Sequence, residues 1–255
     1  MGPFDRQAVA AVIRFRLEGN QVHVWTVRLE ASEDRFAQCL SWLSSDETAR
    51  AARFHFDEHR RAFVLGRACL RALLGALLEA PPGQVAFCYG PKGKPALADA
   101  SSSLRFNASN SGNLAAFAFT EGCELGIDVE QVRPVPEMER IAARFFAPGE
   151  ASELLALPEV DRPQAFFNCW TRKEAYIKAV GDGLFVPLDS FRVTLRPGER
   201  AEMLELGGSA EAAKGWTLRD FVPAPGFAGA VTYCNHPRRL AVEPLLSVDE
   251  LLQAL

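Results

Sequence analysis

The chain has 255 residues, of which 48% are hydrophobic and 24% are charged, and its formal net charge is −4 at pH 7. This length suffices for one large domain or two small ones with a buried core. The slightly acidic balance argues against a nucleic-acid binder, because such proteins usually carry a basic excess. No apolar run approaches the length that a membrane-spanning helix needs. The short apolar run 8–13, close to Asp5, is too brief and wrongly flanked for a signal peptide.

The cysteines are scattered along the chain without any paired spacing. They are Cys39, Cys69, Cys88, Cys123, Cys169 and Cys234. This distribution argues against a disulfide framework and against a thiolate metal site, and it suits a reducing compartment. We therefore expect a cytoplasmic protein.

Short runs of alternating or β-branched residues predict the strands. In chain order they cover 21–29, 85–89, 104–108, 114–119, 125–129, 191–195, 216–221 and 227–233. The pair Glu121-Gly122 is a plausible seam, which divides the chain into residues 1–121 and 122–255. Each half then has strands and two helices in a loosely similar order, so the sequence predicts an α+β fold.

Helical spacing and end signals predict the helices. Ser44 and Glu47 form a capping box that opens a helix carrying Ala49, Ala52, Arg53 and Phe56. Further helices are expected over about 58–79, 136–146 and 164–180, and Gly181 and Gly183 close the last of them.

Two carboxylates lie two residues apart in the apolar run Gly126-Ile127-Asp128-Val129-Glu130. Alternate side chains of a strand point the same way, so Asp128 and Glu130 share one face if this run is a strand. An exposed strand face near a sheet edge is the ordinary alternative for such a pair.

A third carboxylate lies in the helical segment 170–178. There Trp170, Glu174 and Lys178 recur at i, i+4 and i+8, along one stripe. Glu174 and Lys178 alone could be a helix salt bridge, worth about 0.3–0.5 kcal/mol. Three carboxylates brought together by the fold would instead suit Mg²⁺, and the nearby lysine would suit a phosphate group.

Basic residues cluster between positions 50 and 71. They are Arg50, Arg53, Arg60, Arg61, Arg67 and Arg71. Such a cluster is either a solvated helix face or a recess for an anionic ligand.

Several ordered segments together resemble the signature of the 4′-phosphopantetheinyl transferases, of the larger, surfactin-synthetase-activating type. These segments are Gly93-Lys94-Pro95, the stretch 106–112, the stretch 126–130, the stretch 170–184 and the stretch 187–191. The resemblance covers about 43–195, and the stretch 170–179 is its most specific part. It implies two similar α+β halves related by a pseudo-twofold axis, with coenzyme A between them. The implied reaction is Mg²⁺-dependent transfer of phosphopantetheine from coenzyme A to a serine of an apo acyl or peptidyl carrier protein.

The resemblance also implies roles for individual residues. The Mg²⁺ ligands would be Asp128, Glu130 and Glu174, and the catalytic residues would be Glu174 and Lys178. The residues that contact coenzyme A would be Arg50, Arg61, Lys94, Ser109, Asn110, Lys173 and Lys178. Arg60 is an alternative to Arg61 at an offset of one residue.

Asn110 departs from the pattern, because the family usually has histidine after the serine. Asparagine donates a neutral hydrogen bond but carries no positive charge. We therefore expect weaker or less pH-dependent binding of coenzyme A at this point, without loss of activity.

Some alternatives stay open. A non-catalytic module that binds coenzyme A or carrier proteins would keep the same segments. His55 and His59 fit an inverted zinc-peptidase motif, although no downstream acidic ligand stands out in the sequence. Glu150 is either part of the family pattern or an ordinary acid at a helix N-terminus. Trp170, Phe166 and Phe167 are expected in the core. A monomer is expected, and the sequence does not choose between fatty-acid, polyketide and peptide carriers.

Overall fold

The computed structural model describes residues 17, 19–181, 186–234 and 238–255. The expectations for the N-terminal run 8–13 and for Gly183 concern residues outside this set. None of the helices in the described part of the chain is long and apolar enough to cross a membrane.

The strands of the described residues form two main sheets and two hairpins. They are β1 (Gln21–Arg28), β2 (Phe87–Tyr89), β3 (Pro95–Leu97), β4 (Leu104–Ser111), β5 (Leu114–Glu121), β6 (Leu125–Gln131), β7 (Phe191–Val193), β8 (Met203–Leu206), β9 (Trp216–Phe221), β10 (Phe227–Cys234), β11 (Arg239–Val242) and β12 (Leu246–Ser247). The helices are α1 (Glu33–Ser41), α2 (Ser45–Ala51), α3 (Asp57–Leu78), α4 (Met138–Phe145), α5 (Pro148–Ala156), α6 (Arg162–Val180), α7 (Ala210–Ala213) and α8 (Val248–Ala254).

Every predicted strand is found, with bounds that differ by a few residues. The helix expected to follow Ser44 is wrong in length: α2 ends at Ala51, so Arg53 and Phe56 lie outside it. Phe56 has an extended backbone and precedes a first turn that starts a separate helix, α3. The short elements α1, α5, α7, α8, β3, β8, β11 and β12 were not predicted.

The two halves of the chain repeat one topology. In the first half, β1, α3, the β2–β3 hairpin, β4 and β5 follow one another, and the strands lie in the order β1-β5-β4. In the second half, β6, α6, the β7–β8 hairpin, β9 and β10 follow one another, in the order β6-β10-β9. Neighbours within both three-strand sets are antiparallel. The expected fold of two similar α+β halves is confirmed.

The C-terminal segment returns to the first sheet. Strands β11 and β12 both pair in parallel with β1, which completes a five-stranded sheet. Val248 and Leu251 of α8 are buried in the same core as α3. Residues 239–254 therefore pack on the first half although they end the chain.

Alternation along β1 and β5 lets the first sheet pack on both faces. Trp25 and Phe117 belong to the core around α3. Val24 and Ala118 lie in another cluster, which also contains Ile127 of β6. The two halves are thus joined by a buried apolar layer.

Gly126 allows α6 to lie directly on β6. A Cβ atom at this position would be 2.2 Å from the carbonyl oxygen of Ala175 and 2.3 Å from the backbone nitrogen of Ala179. These are rigid backbone atoms, so any side chain at Gly126 would push the helix away. The glycine therefore sets the distance between the polar residues of β6 and those of α6.

We expect Gly126→Ala to lower the free energy of unfolding by about 3 kcal/mol or more, because the new methyl group has no room. The measurement is urea unfolding followed by circular dichroism. Gly19→Ala is the matched control, since a Cβ there meets no atom within 4 Å. Equal stability of the two variants would contradict this packing.

Candidate active site

Two carboxylates of β6 face a cavity of about 580 Å³. Both Asp128 and Glu130 line it, as their i, i+2 spacing predicts. Asp128 is buried, and its Oδ1 accepts hydrogen bonds from Lys178 Nζ at 2.7 Å and from Ser109 Oγ at 2.8 Å. Its Oδ2 is buried and has no hydrogen-bond partner.

Polar side chains of β4 hold these carboxylates from the neighbouring edge of the first sheet. Ser109 donates to Asp128, and Ser111 donates to Glu130 Oε2 at 2.6 Å. Asn107 continues the same series, because its Oδ1 accepts a hydrogen bond from the Ile127 backbone at 3.0 Å. The junction between the two sheets is therefore bridged by side chains at alternate positions of β4.

The third carboxylate comes from α6. Trp170, Glu174 and Lys178 all line the same cavity, so the predicted stripe of the helix faces β6. Lys178 Nζ donates to both Asp128 Oδ1 and Ser109 Oγ, the latter at 2.9 Å. One ammonium group thus ties α6 to both edge strands.

Burial raises the pKa of each carboxyl group. For Asp128, burial outweighs the opposing effect of the Lys178 ammonium. Burial is also the main cause for Glu130, and the charge of Asp128 adds to it. Glu174 is raised by burial and then by the charge of Asp128. Burial therefore makes ionisation of these carboxyl groups less favourable in free energy. A bound cation would offset that cost.

Two aromatic side chains and one leucine form the apolar wall of the cavity. Phe145, Trp170 and Leu188 line it. Trp170 stacks on Phe166 with ring centroids 6.0 Å apart and meets Phe145 edge-on at 6.3 Å. Phe166 and Phe167 are core residues as expected, whereas Trp170 is only half-buried and lies between the core and the cavity.

A second cavity of about 280 Å³ lies beside the first and is basic. Arg50 and Arg67 both line it. The Arg50 guanidinium lies 5.1 Å above the Phe63 ring. Arg67 Nε is 3.3 Å from Glu47 Oε1, and its buried Nη1 has no hydrogen-bond partner. An anion in this cavity would find an arginine that is already desolvated.

The two cavities share part of their lining. Ser109 and Asn110 of β4 border both of them. A smaller cavity of about 260 Å³ adjoins both and is lined by Lys94, Glu174 and Lys178. Basic residues of the first half and acidic residues of the second half therefore face one continuous cleft.

Two family models match the two halves of this chain. A model described as the N-terminal region of 4′-phosphopantetheinyl transferase matches residues 27–121, and the 4′-phosphopantetheinyl transferase superfamily model matches residues 124–224. The 4′-phosphopantetheinyl transferase HetI of a Nostoc species is 42% identical over 217 residues, which cover 84% of this chain and 88% of HetI. The chain belongs to the 4′-phosphopantetheinyl transferase superfamily. The resemblance seen in the sequence is thereby confirmed.

Other transferases are also similar. Sfp of Bacillus subtilis is 30% identical over 221 residues, 87% of this chain and 95% of Sfp. The solved structure of Thermotoga maritima holo-[acyl-carrier-protein] synthase is 20% identical and covers 45% of this chain and 64% of its own, with a TM-score of 0.33.

Arg61 lies away from the basic cavity of this transferase. Its guanidinium bonds to Glu33 Oε1 at 2.9 Å and to the Ala31 carbonyl, and it covers the Phe36 ring. Arg67, and not Arg61, lines the basic cavity. The spacing of Phe63, Gly66, Arg67 and Leu70, all of which line the cavity, is the signal that could have selected Arg67.

Lys173 also lies away from the cleft. It is fully buried, and its Nζ donates to the carbonyl oxygens of Leu188 and Phe191 and pairs with Glu150 at 2.7 Å. Glu150 in turn accepts hydrogen bonds from the backbones of Ala147 and Val193. Both residues of this pair therefore have the contacts of structural residues, and Lys173 does not fit a contact to coenzyme A.

Lys94 lines the cavity of about 260 Å³, but its ammonium group already donates hydrogen bonds to groups of the protein. Nζ donates to Glu124 Oε2 at 2.9 Å, to the Ala179 carbonyl at 2.9 Å and to the Leu125 carbonyl at 3.2 Å. The expected contact to coenzyme A remains a prediction.

The residues present suit a hard metal ion in their chemistry. Asp128, Glu130 and Glu174 offer carboxylate oxygens, and the unpartnered Oδ2 of Asp128 is a ready ligand atom. Within the described residues, however, no three Asp, Glu, His or Cys side chains are grouped as a metal site. Lys178 holds Asp128 Oδ1 in this arrangement. The assignment of the metal ligands therefore stays a prediction.

The zinc-peptidase alternative finds no support. His55 precedes α3, so His55 and His59 do not share a helix face. Both histidines are exposed and contact the Phe56 ring edge-on.

We expect Glu174→Gln to raise the free energy of unfolding at neutral pH by about 0.5–1 kcal/mol, because it removes a charge that burial disfavours. A carboxyl group whose pKa is raised by folding destabilises the fold above that pKa and not below its ordinary value. The gain should therefore shrink as the pH falls through the raised pKa of Glu174. Urea unfolding at several pH values measures it.

The control is Glu211→Gln on the exposed helix α7, where no more than about 0.5 kcal/mol is expected at any pH. A Glu174→Gln variant that is less stable than the parent at neutral pH would contradict the electrostatic account.

Proposed function

We propose that this protein transfers the 4′-phosphopantetheine group of coenzyme A to a serine of an apo carrier protein and releases 3′,5′-ADP. The observation that carries the proposal is the cleft in which Asp128, Glu130, Glu174 and Lys178 face one cavity next to the basic cavity of Arg67. Membership of the transferase superfamily supports it.

In the reaction, the serine oxygen attacks the phosphorus that bears the pantetheine arm. The bond from this phosphorus to the bridging oxygen of the pyrophosphate breaks, and 3′,5′-ADP leaves. The serine proton needs an acceptor, and the raised pKa of Glu174 suits that role. Lys178, which is only partly exposed and lines the cavity, would place its positive charge beside the transferring phosphoryl group.

Asp128, Glu130 and Glu174 would hold Mg²⁺. When bound, the ion would neutralise charge that develops on the pyrophosphate and orient the leaving group. The Asp128–Lys178 pair and the serines of β4 position these carboxylates.

Arg50 and Arg67 would bind the 3′-phosphoadenosine end, and Asn110 would contact it between the two cavities. With this assignment, residues 1–121 would bind the 3′-phosphoadenosine end of coenzyme A, and residues 122–255 would provide the metal ligands. The separate matches of family models to 27–121 and 124–224 support that division. Residues 239–254 nevertheless pack on the first half.

The carrier would reach the cavity past the wall formed by Phe145 and Trp170. Carrier proteins are typically acidic, so basic residues around the cleft would steer their approach. The protein is proposed to act as a monomer in the cytoplasm. The free cysteines of the described residues suit that reducing compartment.

The first test is the intact mass of apo acyl and peptidyl carriers after incubation with the protein, coenzyme A and Mg²⁺. We expect a gain of one phosphopantetheine per carrier, lost with EDTA and with Glu174→Ala. Glu211→Gln should transfer at the parental rate. A carrier mass that never changes, while coenzyme A still binds, would favour the non-catalytic module.

The second test compares two arginines of α3. We expect Arg67→Met to raise the KM for coenzyme A about tenfold, since a hydrogen bond to a charged group contributes about 1.5–3 kcal/mol. Arg61→Met is the matched control and should change KM less than about twofold, because its guanidinium is held by Glu33 outside the cavity. Thermal unfolding checks that both variants fold. The reverse order of effects would contradict the placement of these side chains.

A further inference from the structure

The ammonium group of Lys94 is fully occupied by hydrogen bonds within the protein. Its side chain is 20% exposed, and its ammonium group donates to Glu124 Oε2, to the Ala179 carbonyl and to the Leu125 carbonyl. An ammonium group has three hydrogens. Each therefore has an oxygen acceptor within the protein, and one of these acceptors neutralises the charge.

These acceptors lie at the ends of the two elements that build the active site. Ala179 is in the last turn of α6, where carbonyl groups lack partners within the helix. Leu125 is the first residue of β6. A lysine at a helix C-terminus also interacts favourably with the helix dipole. Lys94, in the turn of the β2–β3 hairpin, therefore closes the end of α6 onto the start of β6.

Gly181 makes this contact possible. It ends α6 in the left-handed conformation, at φ +76°, and a Cβ atom there would be 3.3 Å from Lys94 Cδ. The lysine stem thus crosses the helix end at a position where a side chain would interfere.

Glu124 extends the contact to β4. Its Oε1 is 3.4 Å from Arg105 Nε, while its Oε2 binds Lys94. Glu124 borders a further cavity, which shares Lys94 and Gly181 with the cavity of about 260 Å³. Glu124 itself lines none of the cavities that contain Glu174 or Lys178. We call Lys94, Arg105 and Glu124 the seam cluster. A substitution at Glu124 can therefore disturb Lys94 without changing a residue that lines the cavities of Glu174 and Lys178.

We propose that Lys94 is a positioning residue, which fixes the C-terminal turn of α6 against β6 through the seam cluster. Lys178 lies in that turn and binds Asp128 of β6. If the turn moves, the Lys178 ammonium leaves the place where it would meet the transferring phosphoryl group. The kinetic part of this inference rests on the proposed function, while its structural part does not.

The test compares Lys94→Met, Glu124→Gln and the double variant, with Glu121→Gln as the exposed control on the neighbouring strand β5. Hydrogen exchange of the backbone amides at 177–181, without substrate, reports the end of α6. Steady-state kinetics with coenzyme A and a carrier separate kcat from KM.

We expect faster exchange at 177–181 in both single variants and a kcat that is lower by about tenfold or more, since small displacements of catalytic groups have large effects. The KM for coenzyme A should change less than about twofold. The double variant should be no worse than the more affected single variant, because both act through one contact. Glu121→Gln should match the parent in every measurement.

A direct role in binding coenzyme A gives a different pattern. Lys94→Met would then raise KM about tenfold with unchanged exchange, and Glu124→Gln would leave KM unchanged or lower it by freeing the lysine. That result would overturn the proposal. If the parent protein transfers nothing, the proposed function fails, and the exchange rates alone still decide whether Lys94 holds the helix end.

Discussion

The close contact of α6 with β6 at Gly126 determines the geometry of the whole site. It lets the helix backbone lie against the strand without an intervening side chain. Asp128, two residues further along β6, therefore comes within 2.7 Å of Lys178. A wider separation would leave both charges partly buried and unpaired, which is costly. The close packing at Gly126 thus brings the charges of Asp128 and Lys178 together, and their pairing in turn stabilises the contact of α6 with β6.

The second requirement is the junction between the two halves. Side chains of β4 at alternate positions bind the edge of β6, and a buried apolar layer lies behind them. Each half alone would hold only part of the cleft, because the arginines lie on the first half and the carboxylates on the second. Burial raises the pKa values of Asp128, Glu130 and Glu174, so their ionised forms are disfavoured unless a cation offsets the cost. Binding sites often contain charged groups that lower the stability of the fold in this way.

Local periodicity was enough to predict the parts of the site that lie on one element. The stripe of Trp170, Glu174 and Lys178 and the pair on β6 follow from the 3.6- and 2-residue repeats. The arginine of α3 did not follow, because Arg61 and Arg67 lie about 120° apart around a helix and the sequence did not fix which face meets the cavity. The roles of Lys173 and Lys94 depend on distant partners. The pairing of 239–254 with β1 also depends on distant partners, and no local sequence pattern predicts it.

We expect β6 and α6 together to build one divalent-cation site on the cleft. Titration with Mn²⁺ in the presence of coenzyme A, followed by electron paramagnetic resonance, measures the number of bound ions and their affinity. We expect one bound ion in the parent protein and a large loss of affinity in each of Asp128→Asn, Glu130→Gln and Glu174→Gln, with no loss in Glu211→Gln. A parent protein that binds no ion, or variants of both elements that bind as the parent does, would contradict it.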